Sequence, residues 1–186
     1  MLPVIKKAKS VVGKSLVLRD IEEEDAEFVV NLRGDPVKGR YLSAISGKLE
    51  DQVNWIRGYK GKNDQAYFIV CDRDRNRLGC IRMYDAIEDS YWWGSWLMIT
   101  GLAPLVAIET ALLVYAYGKS LGFDQARIKV RRDNKFVWGF HEKFSSAELV
   151  SETELDRVYV VRSESIDKML AKYSNLLTTP LKVWKY

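Results

Sequence analysis

Three strand-like runs in succession, AYFIVC, GCIRMYD and YWWGSWLMIT, lead into LVAIETALLVYAYGKSLGF, a helix with apolar residues around most of its circumference. Branched and aromatic residues, broken by polar turns at 72–77 and 86–90, predict an antiparallel meander. The helix carries Val106, Ile108, Ala111, Leu112, Tyr115 and Ala116 and stops at Gly122, so it must be buried on much of its surface. A meander feeding such a helix confines the chain to an α/β arrangement in which helices flank a mostly antiparallel sheet.

The remaining segments alternate around that centre. LVLRD reads as a strand; carboxylates at Glu22 to Asp25 suit the helix N-terminus that follows, and Ala26, Val29 and Val30 form its apolar stripe before Gly34 and Pro36 end it. A second helix carries Leu49, Val53 and Ile56. After the long helix come ARIKV as a strand, KFVWGFHEKF as a helix, AELVSE and RVYVVRS as strands, and SIDKMLAKYSNLL as a last helix. The predicted order is β, α, α, β, β, β, α, β, α, β, β, α. Residues 1–14 are expected to be an irregular N-terminal extension, and residues 163–186 a C-terminal helix with an irregular tail. With 186 residues, 47% of them apolar, one domain spanning 1–186 can bury a full core.

Charge and cysteine usage exclude several classes. The 29 basic and 25 acidic residues are interspersed, giving +4 without a basic stripe, so no nucleic-acid partner is expected. No apolar run is long enough for a membrane span, and MLPVIKKAKSVVGKS is too short and too charged for a secretory segment. Cys71 and Cys80 bracket a predicted turn, and two cysteines without such a segment point to reduced thiols in a cytoplasmic protein. One histidine and two cysteines provide no metal-ligand spacing.

The order of elements, together with LRGDP, GCIRMYD, WGSWL, the helix opening VAIE, LGF and VRRDN...FHEKF, resembles the GNAT superfamily of CoA-dependent N-acyltransferases from about Leu16 to Ser163. Within it, these pieces look most like bacterial enzymes acting on nucleotide-linked amino sugars. The resemblance implies a sheet of about seven strands that splays open between its fourth and fifth. It also implies acyl-CoA as cosubstrate, with Leu97, Met98 and Ile99 lining the slot for the pantetheine arm. The following turn and helix start, Gly101, Leu102, Ala103, Pro104, Leu105, Val106 and Ala107, would seat the pyrophosphate on main-chain N–H groups. The chain departs from the family loop here, carrying Leu102, Leu105 and Ala107 where an Arg or Gln, a Gly, and a Gly or Ala are usual. By position, Asn134 corresponds to a pantetheine ligand, and the room left by Met98, Trp138 and Phe140 would set the acyl chain.

His141 falls where many members carry a Tyr that protonates the departing thiolate. As imidazolium or as an imidazole N–H it could serve that leaving group near neutral pH; otherwise it is a packed helix residue beside Trp138, Phe140 and Phe144. Asp85, and after it Glu88, are the strand-end carboxylates expected nearest the slot to take the amine's proton. Alternation should place Tyr91, Trp93 and Ser95 on one sheet face and Trp92, Gly94 and Trp96 on the other. An aromatic ring there, such as Trp93, could stack on a sugar or base. Arg33, Tyr41, Arg82 and Tyr84 are further acceptor candidates, since an arginine fork fits a diphosphate. The expected activity is transfer of an acetyl or short hydroxyacyl group to a nucleotide-linked amino deoxysugar by direct attack. Acetylation of a peptide N-terminus or small amine, and a non-catalytic CoA-binding module, are the alternatives. The C-terminal strands and helix could also pair with a second copy as a homodimer.

Overall fold

The computed structural model describes residues 2–43 and 46–186. Its elements in chain order are β1 (Ser10–Gly13), β2 (Leu16–Asp20), α1 (Ala26–Gly34), α2 (Leu49–Lys60), β3 (Ala66–Asp72), β4 (Arg77–Ile87), β5 (Ser90–Met98), α3 (Pro104–Ser120), β6 (Gln125–Arg131), α4 (Lys135–Ser145), β7 (Glu148–Glu152), β8 (Asp156–Val161), α5 (Ser163–Lys172) and β9 (Leu177–Trp184). The strands form one sheet in the order β7, β8, β6, β5, β4, β3, β2, β1, β9. Every neighbouring pair is antiparallel except β5 and β6.

Both faces of the centre are covered. Phe68, Val70, Ile81, Met83, Tyr91 and Trp93 pack with α3 and, through Ile166 and Met169, with α5. On the opposite face Val29 and Leu32 of α1 and Ile56 and Tyr59 of α2 cover Tyr67, Ile69, Cys71, Cys80 and Leu97. Because β3 feeds both layers, Ala66 to Cys71 are buried without interruption, which explains why AYFIVC reads as a continuous apolar run. Cys71 and Cys80 are free and buried.

Nine of the 17 residues of α3 are buried, so the helix has no polar face to present. Pro104 opens it, where a missing N–H costs nothing. Gly118 lies where a Cβ would come within 2.5 Å of the Tyr91 ring, so this glycine lets helix and strand approach closely. Buried Glu109 is the helix's one carboxylate. Its Oε1 accepts hydrogen bonds from the backbone N–H groups of Ser15 (2.7 Å) and Leu16 (2.9 Å), clamping the turn between β1 and β2. Gly13 makes room for that carboxylate, since a Cβ there would lie 2.5 Å from it.

The sheet has nine strands, not seven, and both additions lie at one edge. β1 pairs with β9 from Ser10 opposite Trp184 to Val12 opposite Lys182. Ile5, Ala8, Val11 and Val12 are buried, so the segment 5–13 contributes to the core and is not an irregular extension. At four residues β1 is too short for its alternation to register, and Pro180 disguises β9, although an outermost strand tolerates proline.

Two irregularities in β5 shape the interior. Pairing with β6 runs only from Ser90 opposite Gln125 to Trp93 opposite Ile128, while β5 continues to Met98 and β6 to Arg131. The sheet therefore opens between these strands, the fourth and fifth of the seven expected. Against β4, Cys80 faces Leu97 but Arg82 faces Gly94, so Ser95 and Trp96 together oppose Ile81, and Ser95 takes φ +49°. This β-bulge resets the alternation. Trp96 comes onto the same face as Trp93, ring centroids 5.5 Å apart, and not onto the opposite face as simple alternation predicts.

Glu109→Ala leaves the buried Leu16 N–H and the part-buried Ser15 N–H without an acceptor and is expected to lower stability by roughly 1–3 kcal/mol. Glu109→Gln, which keeps an acceptor oxygen, should cost less. Urea unfolding of both variants measures the difference, and equal losses would show that the acceptor is not what matters.

Candidate active site

The opening between β5 and β6 is a cavity of about 900 Å³. Leu97 and Met98 line it from the end of β5 and Ile99 from the residue after it, and Asn134, Phe140 and His141 from the start and middle of α4. Beyond Trp93 the main chain of β5 is not paired with β6, which leaves a strand edge that an extended ligand can meet. The Met98 carbonyl is reachable from the slot: it accepts a hydrogen bond from Lys38 Nζ at 2.6 Å. Gly101, at φ +81°, turns the chain from strand to helix. Gly101, Leu102, Ala103, Pro104 and Ala107 line the cavity. Ala103, the residue before α3, has no side chain that could cap the helix; Pro104 has no N–H and the Val106 N–H is bonded to the Ala103 carbonyl, so of the first three helical residues only Leu105 has an N–H left for an anion. Leu105 and Val106 lie outside the lining: Leu105 is half exposed, and Val106 packs against the core, its N–H used by the Ala103 carbonyl. An unpaired strand edge leading to an uncapped helix start fits the arm and pyrophosphate of acyl-CoA.

His141 sits in the cavity wall and is 1% exposed. The rings of Trp93, Trp96 and Phe140 surround it at centroid distances of 5.2, 5.9 and 5.4 Å, and its Nδ1 has no hydrogen-bond partner. Burial pushes its pKa down to about 3, because nothing nearby compensates the charged form. His141 is thus a neutral imidazole at physiological pH, which removes the imidazolium form expected from its ordinary pKa and leaves the ring N–H. Asn134 is partly committed, its side-chain oxygen accepting from Val137 N at 3.4 Å at the start of α4. Trp138 does not line the cavity: its indole N–H donates to the Arg132 carbonyl and Arg157 lies over its ring at 4.4 Å.

A second cavity of about 330 Å³ adjoins the first and shares Tyr41, Leu42, Gly94, Ser95, Lys129 and Arg131 with it. The two meet at the Ser95 bulge. Arg33, Arg40, Lys129 and Arg131 bring four cations to the second cavity against one carboxylate, Asp156, which lies 4.0 Å from Lys129 and 3.9 Å from Arg131. Arg33, Tyr41 and Tyr84 are brought together here as expected acceptor candidates. Arg82 is not: its Nε donates to Gln65 at 2.8 Å and its guanidinium lies between the Trp55 and Tyr84 rings, outside both cavities. Trp93 lines the first cavity beside His141, on the face opposite the acceptor candidates, so it does not stack on an acceptor. Asp85 and Glu88 are exposed at the β4–β5 hairpin, with φ of +48° and +54°, and line neither cavity. Neither is placed to take a proton from an amine in the slot.

Arg40, Lys129, Arg131 and Asp156 were not singled out from the sequence. Alternation in ARIKVR could have found two of them, since buried Ile128 and Val130 imply that Lys129 and Arg131 point to the other face. Among the described residues no cluster of His, Cys, Asp and Glu is arranged to hold a metal ion, and no helix is long and apolar enough to cross a membrane.

A sheet that opens beside a helix start, with an aromatic-walled slot leading to a charged one, offers room for an extended ligand beside a second substrate. A family model described as an acetyltransferase (GNAT) domain matches residues 15–144, and the chain belongs to that family of acyl-CoA-dependent N-acetyltransferases. Among solved structures, the apo form of FdhC, described as a nucleotide-linked sugar GNAT, is 31% identical with a TM-score of 0.79, covering 91% of this chain and 98% of its own. A probable GNAT-family acetyltransferase from Chromobacterium violaceum shares the fold at 15% identity and TM-score 0.74, over 90% and 92% of the two chains. A variant of the spermidine N-acetyltransferase SpeG from Vibrio cholerae does so at 14% and 0.69, over 82% and 96%. A comparison with curated proteins found no match.

The neutral state of His141 makes a prediction with a defined sign. Its folded pKa of about 3 lies below the ordinary value of 6.5 that it regains on unfolding, so the unfolded chain binds the extra proton first. Its contribution to stability is complete above pH 6.5 and is lost as pH falls towards 3. Urea unfolding of wild type and His141→Phe at pH 7 and pH 4 should show a smaller acid loss in the variant. Equal losses would mean that His141 titrates normally in the fold.

Proposed function

We propose that this enzyme transfers an acetyl or short hydroxyacyl group from acyl-CoA to the amino group of a nucleotide-linked amino deoxysugar, by direct attack in a ternary complex. The observation that carries the reading is the cationic cavity meeting the acyl-CoA slot at the Ser95 bulge. A polycation such as spermidine would need carboxylates where Arg33, Arg40, Lys129 and Arg131 stand, and a peptide N-terminus would favour a neutral or acidic groove. The 31% identity with a nucleotide-linked sugar GNAT supports the same acceptor class. Both substrates belong to the cytoplasm, and the acylated sugar nucleotide suits surface polysaccharide assembly.

Catalysis in this reading rests chiefly on orientation. Two adjoining cavities hold thioester and amine on either side of the bulge, and a thioester already reacts with a neutral amine. The amine nitrogen forms the new C–N bond as the C–S bond breaks, the surplus proton on nitrogen is lost to solvent, and the thiolate leaves and is protonated to free CoA. With a free-thiol pKa near 8.5, that thiolate needs little assistance, and a hydrogen bond from a neutral His141 N–H would meet the need.

A thiol-release assay tests this with acyl-CoA donors against nucleotide-linked amino sugars, polyamines and peptides with free N-termini. Release is expected with the sugar nucleotides, and His141→Ala should lower kcat by roughly tenfold with little change in acyl-CoA affinity. Turnover of polyamines or peptides alone would overturn the acceptor assignment. An unchanged kcat in the variant would leave His141 a packing residue.

A further inference from the structure

Between Arg82 and Lys119 the sequence holds no lysine, arginine or histidine, so β5, the turn at Gly101 and the start of α3 bring no positive charge to the slot. The helix start offers a single free N–H, that of Leu105, among its first three residues. Acyl-CoA carries a diphosphate beyond its arm, and two phosphate charges held against a protein wall call for a cation. It must come from another element. Among the described residues Lys38, Lys129, Arg131 and Lys135 are the cations lining the first cavity, and Asp133 is the one carboxylate. Lys129 and Arg131 stand 4.0 and 3.9 Å from Asp156, and Lys135 is exposed, two residues after Asp133.

Lys38 is placed differently. The Asp35 carboxylate accepts from the backbone N–H groups of Val37 (2.8 Å) and Lys38 (3.0 Å), and the Asp35 carbonyl accepts from Gly39 N–H at 2.8 Å. A Cβ on Gly39 would collide with the Arg33 carbonyl, so this turn is packed directly onto the end of α1. From that fixed base Lys38 reaches across to β5, where its Nζ meets only the Met98 carbonyl, at 2.6 Å, and among the described residues it makes no ion pair. The Ile99 N–H donates to the Leu78 carbonyl on the β4 side at 2.8 Å, so Met98, one residue earlier, turns its own N–H and C=O to the open edge. The ammonium therefore stands on the path of an extended arm, three residues before Gly101, at most about 11 Å along the chain.

We infer that Lys38 exchanges the Met98 carbonyl for the diphosphate when acyl-CoA binds, and supplies the charge that the start of α3 lacks. A phosphate oxygen is a stronger partner for an ammonium than a neutral carbonyl is. The exchange also frees the Met98 carbonyl to accept an amide N–H of the arm, so one movement serves both parts of the cosubstrate. This assignment concerns acyl-CoA alone and holds whichever amine is the acceptor.

Calorimetric titration with CoA and with dephospho-CoA, which keeps the diphosphate and lacks the 3′-phosphate, tests it without turnover. Lys38→Met is expected to weaken both by roughly tenfold, and Lys38→Arg, which keeps the charge, to stay within about threefold of wild type. Raising salt from about 50 to about 300 mM should weaken wild type more than Lys38→Met. Unchanged CoA binding by Lys38→Met would overturn the inference. A loss that disappears with dephospho-CoA would put Lys38 at the 3′-phosphate instead, and a loss indifferent to salt or not restored by arginine would leave it a fixture of the Met98 carbonyl. If wild type bound neither nucleotide, the acyl-CoA slot itself would be misplaced and the inference would fall with it.

Discussion

Beyond Trp93 and Ile128 the two parallel strands at the centre of the sheet stop sharing hydrogen bonds, and the rest of the molecule is arranged around that separation. Backbone N–H and C=O groups cannot stay unpaired inside a protein without cost, so two diverging strands in a covered sheet must face solvent, a cavity or a ligand. Here they face a cavity of about 900 Å³. The start of α3 closes one end and α4 forms a wall. Because Glu109, in the second turn of α3, is bonded to the turn between β1 and β2, the helix start is held at the slot by contacts outside it.

The same region separates two chemical environments. On the α3 and α4 side, Trp93, Trp96, Phe140 and His141 form an aromatic wall dry enough to keep the histidine neutral. On the α1 and α2 side, Arg33, Arg40, Lys129 and Arg131 line a cavity that holds one carboxylate, Asp156. A thioester and its acyl chain suit the first environment and an anionic acceptor the second. Ser95 stands where they join, and its bulge turns Trp96 into the aromatic wall.

Much of the centre was legible because its signals are local and long. The apolar circumference of α3 could only be a buried helix, and three aromatic and branched runs with polar turns could only be a meander. The family resemblance then located the slot, and Leu97, Met98, Asn134, Phe140 and His141 do line it. The misses have physical causes. β1 is four residues long and β9 contains a proline, so pairing across more than 160 positions was invisible to a local pattern. Asp85 was ranked by expected nearness to the slot, and the hairpin carries it out into solvent.

By itself, the sequence determined the element types, the layered arrangement, the family and the stretches that line the opening between β5 and β6, because periodicity and turn chemistry depend on near neighbours. Tertiary structure alone decided that His141 is neutral, that Trp138 and Arg82 are turned away, and that Arg33, Arg40, Lys129, Arg131 and Asp156 share one cavity. Desolvation and the convergence of charges are set by groups distant in the chain. One extra residue in β5, at Ser95, is enough to invert which face each following side chain meets.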